Sequence, residues 1–314
     1  MRQLSLSMGI VAIACGLLAN AAPARAAPAT WVSGAGANSG SCPVTSPCRT
    51  FAVALSQTNA GGTINVLSSG SFGPLTITKS ISIVADGVEA AIVGGGSIGA
   101  AIKIQAGANA IVSLRGLTID LRGTVNIGID FLSGAALHVH NCVIRKSTFG
   151  IRFSPASGTS ELTVADSVIA DTIVNGIHVI PSGSGGANVV LDRVRVKNGG
   201  GGGIAFPGVN TTGSITATVR DSVAAGNVNF GIFASEGGGG TTVVTVDRSA
   251  AVNNGTTGIS AVGAGATIRI GDSTVSGNSI GLSAITSGVI ASYGTNKVNG
   301  NGTDGAPTNT IAMK

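Results

Sequence analysis

The sequence has 314 residues, of which 50 are glycine, 3% are aromatic and 10% are charged, and its formal net charge is +5. Sparse charge without a cluster of Lys or Arg excludes a nucleic-acid-binding protein, because such proteins gather several basic groups against phosphates. Many glycines and few aromatic residues favour short strands joined by tight turns over a mixed α/β enzyme.

The first 26 residues have the pattern of a secretory signal peptide. Arg2 is the charged start, an apolar run follows, and Ala24-Arg25-Ala26 fits a cleavage site. The run is shorter than the roughly 20 residues that span a bilayer, so cleavage is predicted rather than anchoring. Acylation of Cys15 is the less favoured alternative, because the preceding residues are a poor lipobox. We expect a secreted or periplasmic protein without a membrane span, with 16 basic and 13 acidic residues after cleavage and a net charge of +3.

Residues 27–60 are predicted to form an N-terminal cap. Cys42 and Cys48 lie close together in a turn-rich segment, and in an oxidising compartment they are expected to form a disulfide. Ser46 is the predicted N-cap of a short helix with Pro47 at its first position. A helix here would cover the open end of the fold that follows.

The remaining cysteine gives no sign of a metal site. Cys142 lies in an apolar, strand-like run and is expected to be buried as a small hydrophobic side chain. No Cys and His cluster has the spacing of a zinc site. The sequence therefore predicts no cofactor.

Residues 61–300 carry an internal repeat. Its marker is a Gly-Ile pair, or in one case Gly-Leu, that returns every 22 to 28 residues. The pairs begin at Gly128, Gly150, Gly176, Gly203, Gly231, Gly258 and Gly281. The alternation after each glycine places Ile129 and Phe131, and their equivalents, inside and the residue between them outside. This period predicts a solenoid with three short strands per coil, followed by a polar tail or cap at residues 301–314.

Two polar columns accompany the repeat. They comprise Asn141, Asp166, Asp192, Asp221, Asp247 and Asp272, and then Asn198, Asn227, Asn253 and Asn278. We interpret the acidic column as turn residues whose side chains accept from backbone N–H groups. A calcium site is the less favoured alternative, because a basic residue or a serine adjoins each acid. The glycine runs at 199–203 and 236–240 are predicted to be flexible turn loops.

The repeat period, the "N-x-G-I" turns and the N-terminal cap resemble the pectate-lyase-like superfamily, also called the pectin lyase fold. The resemblance covers essentially the whole mature chain. It implies an all-β fold, a right-handed single-stranded parallel β-helix with three short strands per coil and a short N-terminal capping helix. Because this architecture carries many different functions, the resemblance alone does not choose among them.

The resemblance also implies where chemistry would lie. Enzymes of this superfamily usually act on the outer face of the Gly-Ile sheet, where Asp130, Arg152 and His178 occupy successive coils. Arg152 would hold a carboxylate, His178 or Arg152 would act as the base, and Asp130 as an acid or metal ligand. The favoured alternative is a solvated ladder in which Asp130 pairs with Arg152 and His178 faces water.

The motifs of the similar polygalacturonase-type hydrolases are not matched. Ile127, Asn175 and Ala205 stand where those enzymes have an acid, a histidine and an arginine. We therefore predict an exported, non-catalytic and monomeric β-helix scaffold with a structural or polysaccharide and surface-interaction role. The alternatives are a lyase or glycoside hydrolase acting on acidic polysaccharide, with calcium as cofactor in the lyase case, and an adhesin-like surface protein.

Overall fold

The computed structural model describes residues 26–94, 99–123 and 126–312. These residues form a parallel β-solenoid of about 10 turns with three sheets, which confirms the predicted fold class. The predicted signal peptide lies outside the described residues except for Ala26. The described part of the chain contains no helix that is long and apolar enough to span a bilayer.

Three parallel sheets run along the axis, and each coil from Thr58 to Val298 contributes to them in turn, whereas the terminal strands Ala27–Val32 and Asn309–Thr310 extend one sheet alone. Sheet A comprises Ala27–Val32, Thr58–Val66, Ile81–Val84, Ile111–Arg115, Ala136–His140, Thr159–Ala165, Gly186–Asp192, Ile215–Arg220, Thr242–Asp247, Ala266–Gly271, Val289–Ser292 and Asn309–Thr310. Sheet B comprises Gly70–Ser71, Ala90–Val93, Leu117–Asp120, Val143–Arg145, Val168–Ala170, Arg195–Lys197, Val223–Ala225, Ala250–Val252, Thr274–Ser276 and Lys297–Val298. Sheet C comprises Leu75–Ile77, Ala100–Gln105, Ile127–Ser133, Ile151–Phe153, Ile177–Val179, Ile204–Gly208, Phe230–Glu236, Thr257–Val262 and Ile280–Ile285. The chain passes from C to A to B in each coil, so equivalent residues stack.

The core is a set of stacked apolar columns. Ile129 pairs with Ile151 in sheet C and Phe131 pairs with Phe153, and all four side chains are fully buried. The two phenyl rings stack with their centroids 4.3 Å apart. Each fully buried side chain of this size contributes roughly 1.5–3 kcal/mol of transfer free energy, so the repeated pair is a main source of stability.

At the corner between sheets A and B, the residues of the predicted acidic column occupy two different backbone positions. One residue per coil has positive φ, namely Asn141, Asp166, Arg193, Asp221, Arg248 and Asp272. Asp192 and Asp247 lie one residue earlier, at the ends of their strands. The two basic residues that occupy the corner in these coils pair with the acids of neighbouring positions, and this compensates for an unfavourable backbone conformation.

Four of these carboxylates, those of Asp166, Asp192, Asp221 and Asp247, bind arginines rather than the backbone N–H groups that were predicted. Asp166 accepts two hydrogen bonds from Arg193, at 2.6 and 2.9 Å, which lowers the pKa of this aspartate. Asp192 lies between Arg193, at 2.6 Å, and Arg220, at 3.1 Å. The backbone N–H groups inside the corner are bound instead by a column of serines, as when Ser222 N–H donates to Ser249 Oγ at 3.1 Å.

The corner between sheets B and C contains a buried asparagine ladder. The predicted asparagine column mixes two positions, because Asn198 and Asn253 have positive φ at the surface whereas Asn227 and Asn278 point inward. The inward set is Asn227, Asn254, Asn278 and Asn301. Each Nδ2 donates to Oδ1 of the next asparagine at 2.8–2.9 Å, and Asn301 donates to Asp304. The ladder satisfies buried turn groups that would otherwise cost about 1–3 kcal/mol each.

The glycine run at 199–203 belongs to the same corner and is not the predicted flexible loop. The backbone N–H of Gly200 donates to Thr172 O and that of Gly201 donates to Val174 O, so hydrogen bonds hold the run against the preceding coil. A Cβ on Gly201 would lie 2.5 Å from Val174 O. Glycine is needed here because two backbones approach closely, not because the turn must move.

The N-terminal segment contains the predicted disulfide and a short helix. Cys42 and Cys48 are bonded, and Cys142 is a buried free cysteine, as predicted. The helix spans Phe51–Gln57, and its N-cap is Thr50, whose Oγ1 accepts from Val53 N–H at 3.4 Å. The prediction of Ser46 as N-cap was wrong, because Ser46 N–H donates to Pro43 O in a turn inside the disulfide loop.

Candidate functional site

The outer face of sheet C brings the three predicted residues together. Asp130 pairs in register with Arg152, and Arg152 pairs with His178, so the three side chains lie on consecutive coils. Lys103 precedes them opposite Asp130, and Ala205 follows opposite His178. Adjacent strands lie about 4.8 Å apart, so one ligand can contact several of these rungs.

Asp130 and Arg152 form a bidentate ion pair. Arg152 Nε donates to Asp130 Oδ1 and Nη2 donates to Oδ2, both at 2.8 Å. Asp130 is only 4% exposed. Hydrogen bonding to Asp130 raises the pKa of Arg152, so this guanidinium cannot serve as a base near neutral pH. The favoured alternative expected Asp130 to pair with Arg152 in a solvated ladder; the pair is present, but its carboxylate is buried rather than solvated.

His178 is held as a neutral imidazole by its neighbours. Asn175 is 7% exposed, and its Oδ1 accepts from Gly202 N–H at 2.8 Å. Its amide nitrogen therefore faces His178 Nδ1, at 2.8 Å, and donates to it. Burial, together with the charge of Arg152, lowers the pKa of His178 to about 4. The ring consequently carries its proton on Nε2, and this nitrogen can donate to a ligand.

Aromatic rings flank the polar rungs. Phe149 lies beside His178, with the ring centroids 5.0 Å apart. Phe230 and Phe233 lie further along the same face, with their ring centroids 5.1 Å apart. The alternation predicted after each repeat glycine places Phe233 outward, because it follows Gly231 and Ile232, but the roles of Phe149 and Phe230 were missed. Their place in the repeat could have indicated these roles, because Phe149 and Phe230, like Asn175, directly precede the glycine of a Gly-Ile pair.

Two grooves of the molecule are not formed by Asp130, Arg152 and His178. One, of about 380 Å³, is at the corner between sheets A and B and is lined by Asp166, Ser167, Val168, Arg193, Arg195 and Asp221. Another, of about 360 Å³, lies between the helix and the start of sheet C beside Lys103. Within residues 26–94, 99–123 and 126–312, no group of three His, Cys, Asp or Glu side chains is arranged to hold a metal ion.

Comparison with known proteins supports the fold and leaves the activity open. No family model matches the chain, and no curated protein matches it in sequence. Among solved structures, the pectate lyase Pel9A is similar with a TM-score of 0.55 and 13% sequence identity. The match covers 91% of this chain and 78% of that chain. At this identity the likeness concerns architecture alone, and the chain has a pectate-lyase-like parallel β-helix fold.

Proposed function

We propose that this protein is an exported, non-catalytic β-helix scaffold whose sheet C binds polysaccharide. The disulfide between Cys42 and Cys48 is consistent with an extracytoplasmic location, because such bonds persist in oxidising compartments. The similar solved structure is a pectate lyase, and a polysaccharide as ligand fits that likeness. The outer face of sheet C offers the polar and aromatic side chains that recognise sugars.

The proposal that the protein is non-catalytic rests on one observation: hydrogen bonds within the protein already occupy the three candidate catalytic side chains. Both oxygens of Asp130 accept from Arg152, and Nδ1 of His178 accepts from Asn175. A general base needs an unprotonated nitrogen directed at substrate, but the free nitrogen of His178 carries the proton. A scaffold role requires no such group and is compatible with a ladder that neutralises itself.

The alternative is a lyase or hydrolase for acidic polysaccharide, with Asp130, Arg152 and His178 at the reacting bond. Both functions are tested by incubating the mature protein with acidic and neutral polysaccharides, with and without calcium. Unsaturated products, new reducing ends and retention of intact polymer are then measured. We expect retention without cleavage. Product that disappears in the His178→Ala or Arg152→Ala variant would refute the scaffold proposal, and absence of retention by every polymer would refute polysaccharide binding.

A further inference from the structure

The coil between His178 and Phe233 has small residues beside the two phenylalanines of the next coil. Gly202 adjoins the ring of Phe230, and Ala205 pairs with Phe233. The ring of Phe230 fills the space above Gly202, since a Cβ on this glycine would lie 2.1 Å from a ring carbon of Phe230. Ala205 is only 1% exposed. Small residues in this coil therefore let the aromatic side chains of the next coil lie down on the sheet.

Phe230 and Phe233 consequently form an apolar platform on the surface. Their ring planes are tilted by 33°, and both side chains are partly exposed. Partly exposed phenyl rings offer the flat apolar area on which the C–H face of a sugar ring packs. We call these two side chains the phenylalanine platform.

The three rungs Asp130, Arg152 and His178 carry no net charge near neutral pH, and Lys103 lies one rung further from the platform. Asp130 and Arg152 cancel each other, and His178 is neutral because its pKa lies at about 4. Asp130 occupies Nε and Nη2 of Arg152. A sugar carboxylate that reached Nη1 would therefore meet a guanidinium whose charge is already paired, and it could bind in the bidentate geometry only by displacing Asp130. That exchange would leave an almost fully buried aspartate without its partner, which is strongly unfavourable. A hydroxyl group has no such cost, because it can accept from Nε2 of His178 while the ion pair stays intact.

We infer that sheet C binds a neutral polysaccharide, with one sugar ring packed on Phe230 and Phe233 and a hydroxyl group hydrogen-bonded to His178. This inference rests on the proposed polysaccharide-binding function and specifies its ligand class. It differs from the alternative of a lyase or hydrolase for acidic polysaccharide, in which Arg152 would hold a sugar carboxylate.

The test compares binding to soluble neutral polymers, namely hydroxyethyl cellulose, galactomannan and dextran, with binding to polygalacturonate and alginate. Affinity gel electrophoresis of the mature protein gives the dissociation constants. We expect binding to at least one neutral polymer, weakened roughly tenfold in both Phe230→Leu and Phe233→Leu. Leucine keeps an apolar side chain but removes the flat ring. Val190→Ala, which changes a 39% exposed residue on sheet A, is the matched control and should bind as the wild type does.

The outcomes separate this inference from the proposal on which it rests. Binding to acidic polymers alone would overturn the neutral ligand class while leaving polysaccharide binding in place. Binding to a neutral polymer that both leucine variants retain at full strength would overturn the platform as its site. Failure to bind any of the five polymers would refute the proposed function and this inference together. Circular dichroism and thermal melting confirm that each variant is folded.

Discussion

The hydrogen bond between Asn175 and His178 can be tested by replacing the asparagine with aspartate. The two side chains have the same shape, and one oxygen of the new carboxylate could still accept from Gly202 N–H. The other oxygen would take the place of the Asn175 amide nitrogen, about 2.8 Å from His178 Nδ1, so an acceptor would replace a donor there. The Asn175→Asp variant should therefore favour protonation of Nδ1, which the wild type disfavours.

The size of the effect follows from the geometry. A carboxylate and an imidazolium whose charges lie about 4 Å apart attract by about 4 kcal/mol at an effective dielectric constant of about 20. This energy corresponds to roughly a thousandfold increase in proton affinity. The pKa of His178 should therefore move from about 4 in the wild type to roughly neutral pH in the variant.

Stability should follow the same titration. In the wild type, the unfolded chain protonates His178 at about 6.5 whereas the folded chain does so at about 4. The unfolded state therefore binds more protons between these values, and the free energy of unfolding falls as the pH is lowered through this window. The loss attributable to His178 is at most about 3 kcal/mol at pH 4. In Asn175→Asp most of this contribution should disappear.

The assay is a long-range ¹H–¹⁵N NMR titration of the histidine rings, which reports both the pKa and the protonated nitrogen. His138 and His140 lie on sheet A and serve as internal references, and His178→Ala assigns the third ring. Urea denaturation at pH 4.5 and pH 7 measures the stability difference. A wild-type ring that titrates near 6.5, or one protonated on Nδ1 when neutral, would refute the reasoning.

Three further predictions concern stability and reactivity. Asn254→Ala should lower the free energy of unfolding by about 2–4 kcal/mol, because it interrupts the asparagine ladder. The control Asn188→Ala, on the exposed face of sheet A, should change the free energy of unfolding by less than about 0.5 kcal/mol. Equal losses for the two variants in urea denaturation would contradict the ladder's role. Asp192→Asn should cost about 1–3 kcal/mol and more than Asp221→Asn, because the Asp192 side chain is 9% exposed and the Asp221 side chain 38%; the reverse order in the same assay would refute this ranking. Burial raises the pKa of the Cys142 thiol to about 11. Mass spectrometry should therefore find this thiol unmodified by iodoacetamide in the folded protein at pH 8 and modified in urea. Rapid labelling before unfolding would show that the thiol is not buried.

The sequence predicted the fold because burial imposes a visible period. Ile129 and Ile151 follow the glycine of their coils since only apolar side chains fit the interior. The polar columns were harder to place, because the left-handed corner residue can be Asp166 in one coil and Arg193 in the next. Their alternation depends on ion pairs between coils, which makes an arginine acceptable where aspartate or asparagine is usual.

The candidate site was predicted only in part. Alternation along the Gly-Ile strands was sufficient to place Asp130, Arg152 and His178 on one face. It did not show that Asn175 fixes the protonated nitrogen of His178, since this depends on where Gly202 of the next coil points its N–H. Nor did it show that Phe230 lies over Gly202, which requires the register between coils.

The three corners of the coil differ in how much their length varies. From Ala136 to Ser276, each link between sheet A and sheet B has two residues, and it is filled by the corner residue and a buried one. Over the same coils, the links from sheet C to sheet A have three to six residues, as at 263–265 and 209–214. They border the face that carries the phenylalanine platform. Insertions and substitutions in these links can reshape the rim of that face without disturbing the ladders, so ligand preference can diverge between related proteins while the stacked frame is conserved.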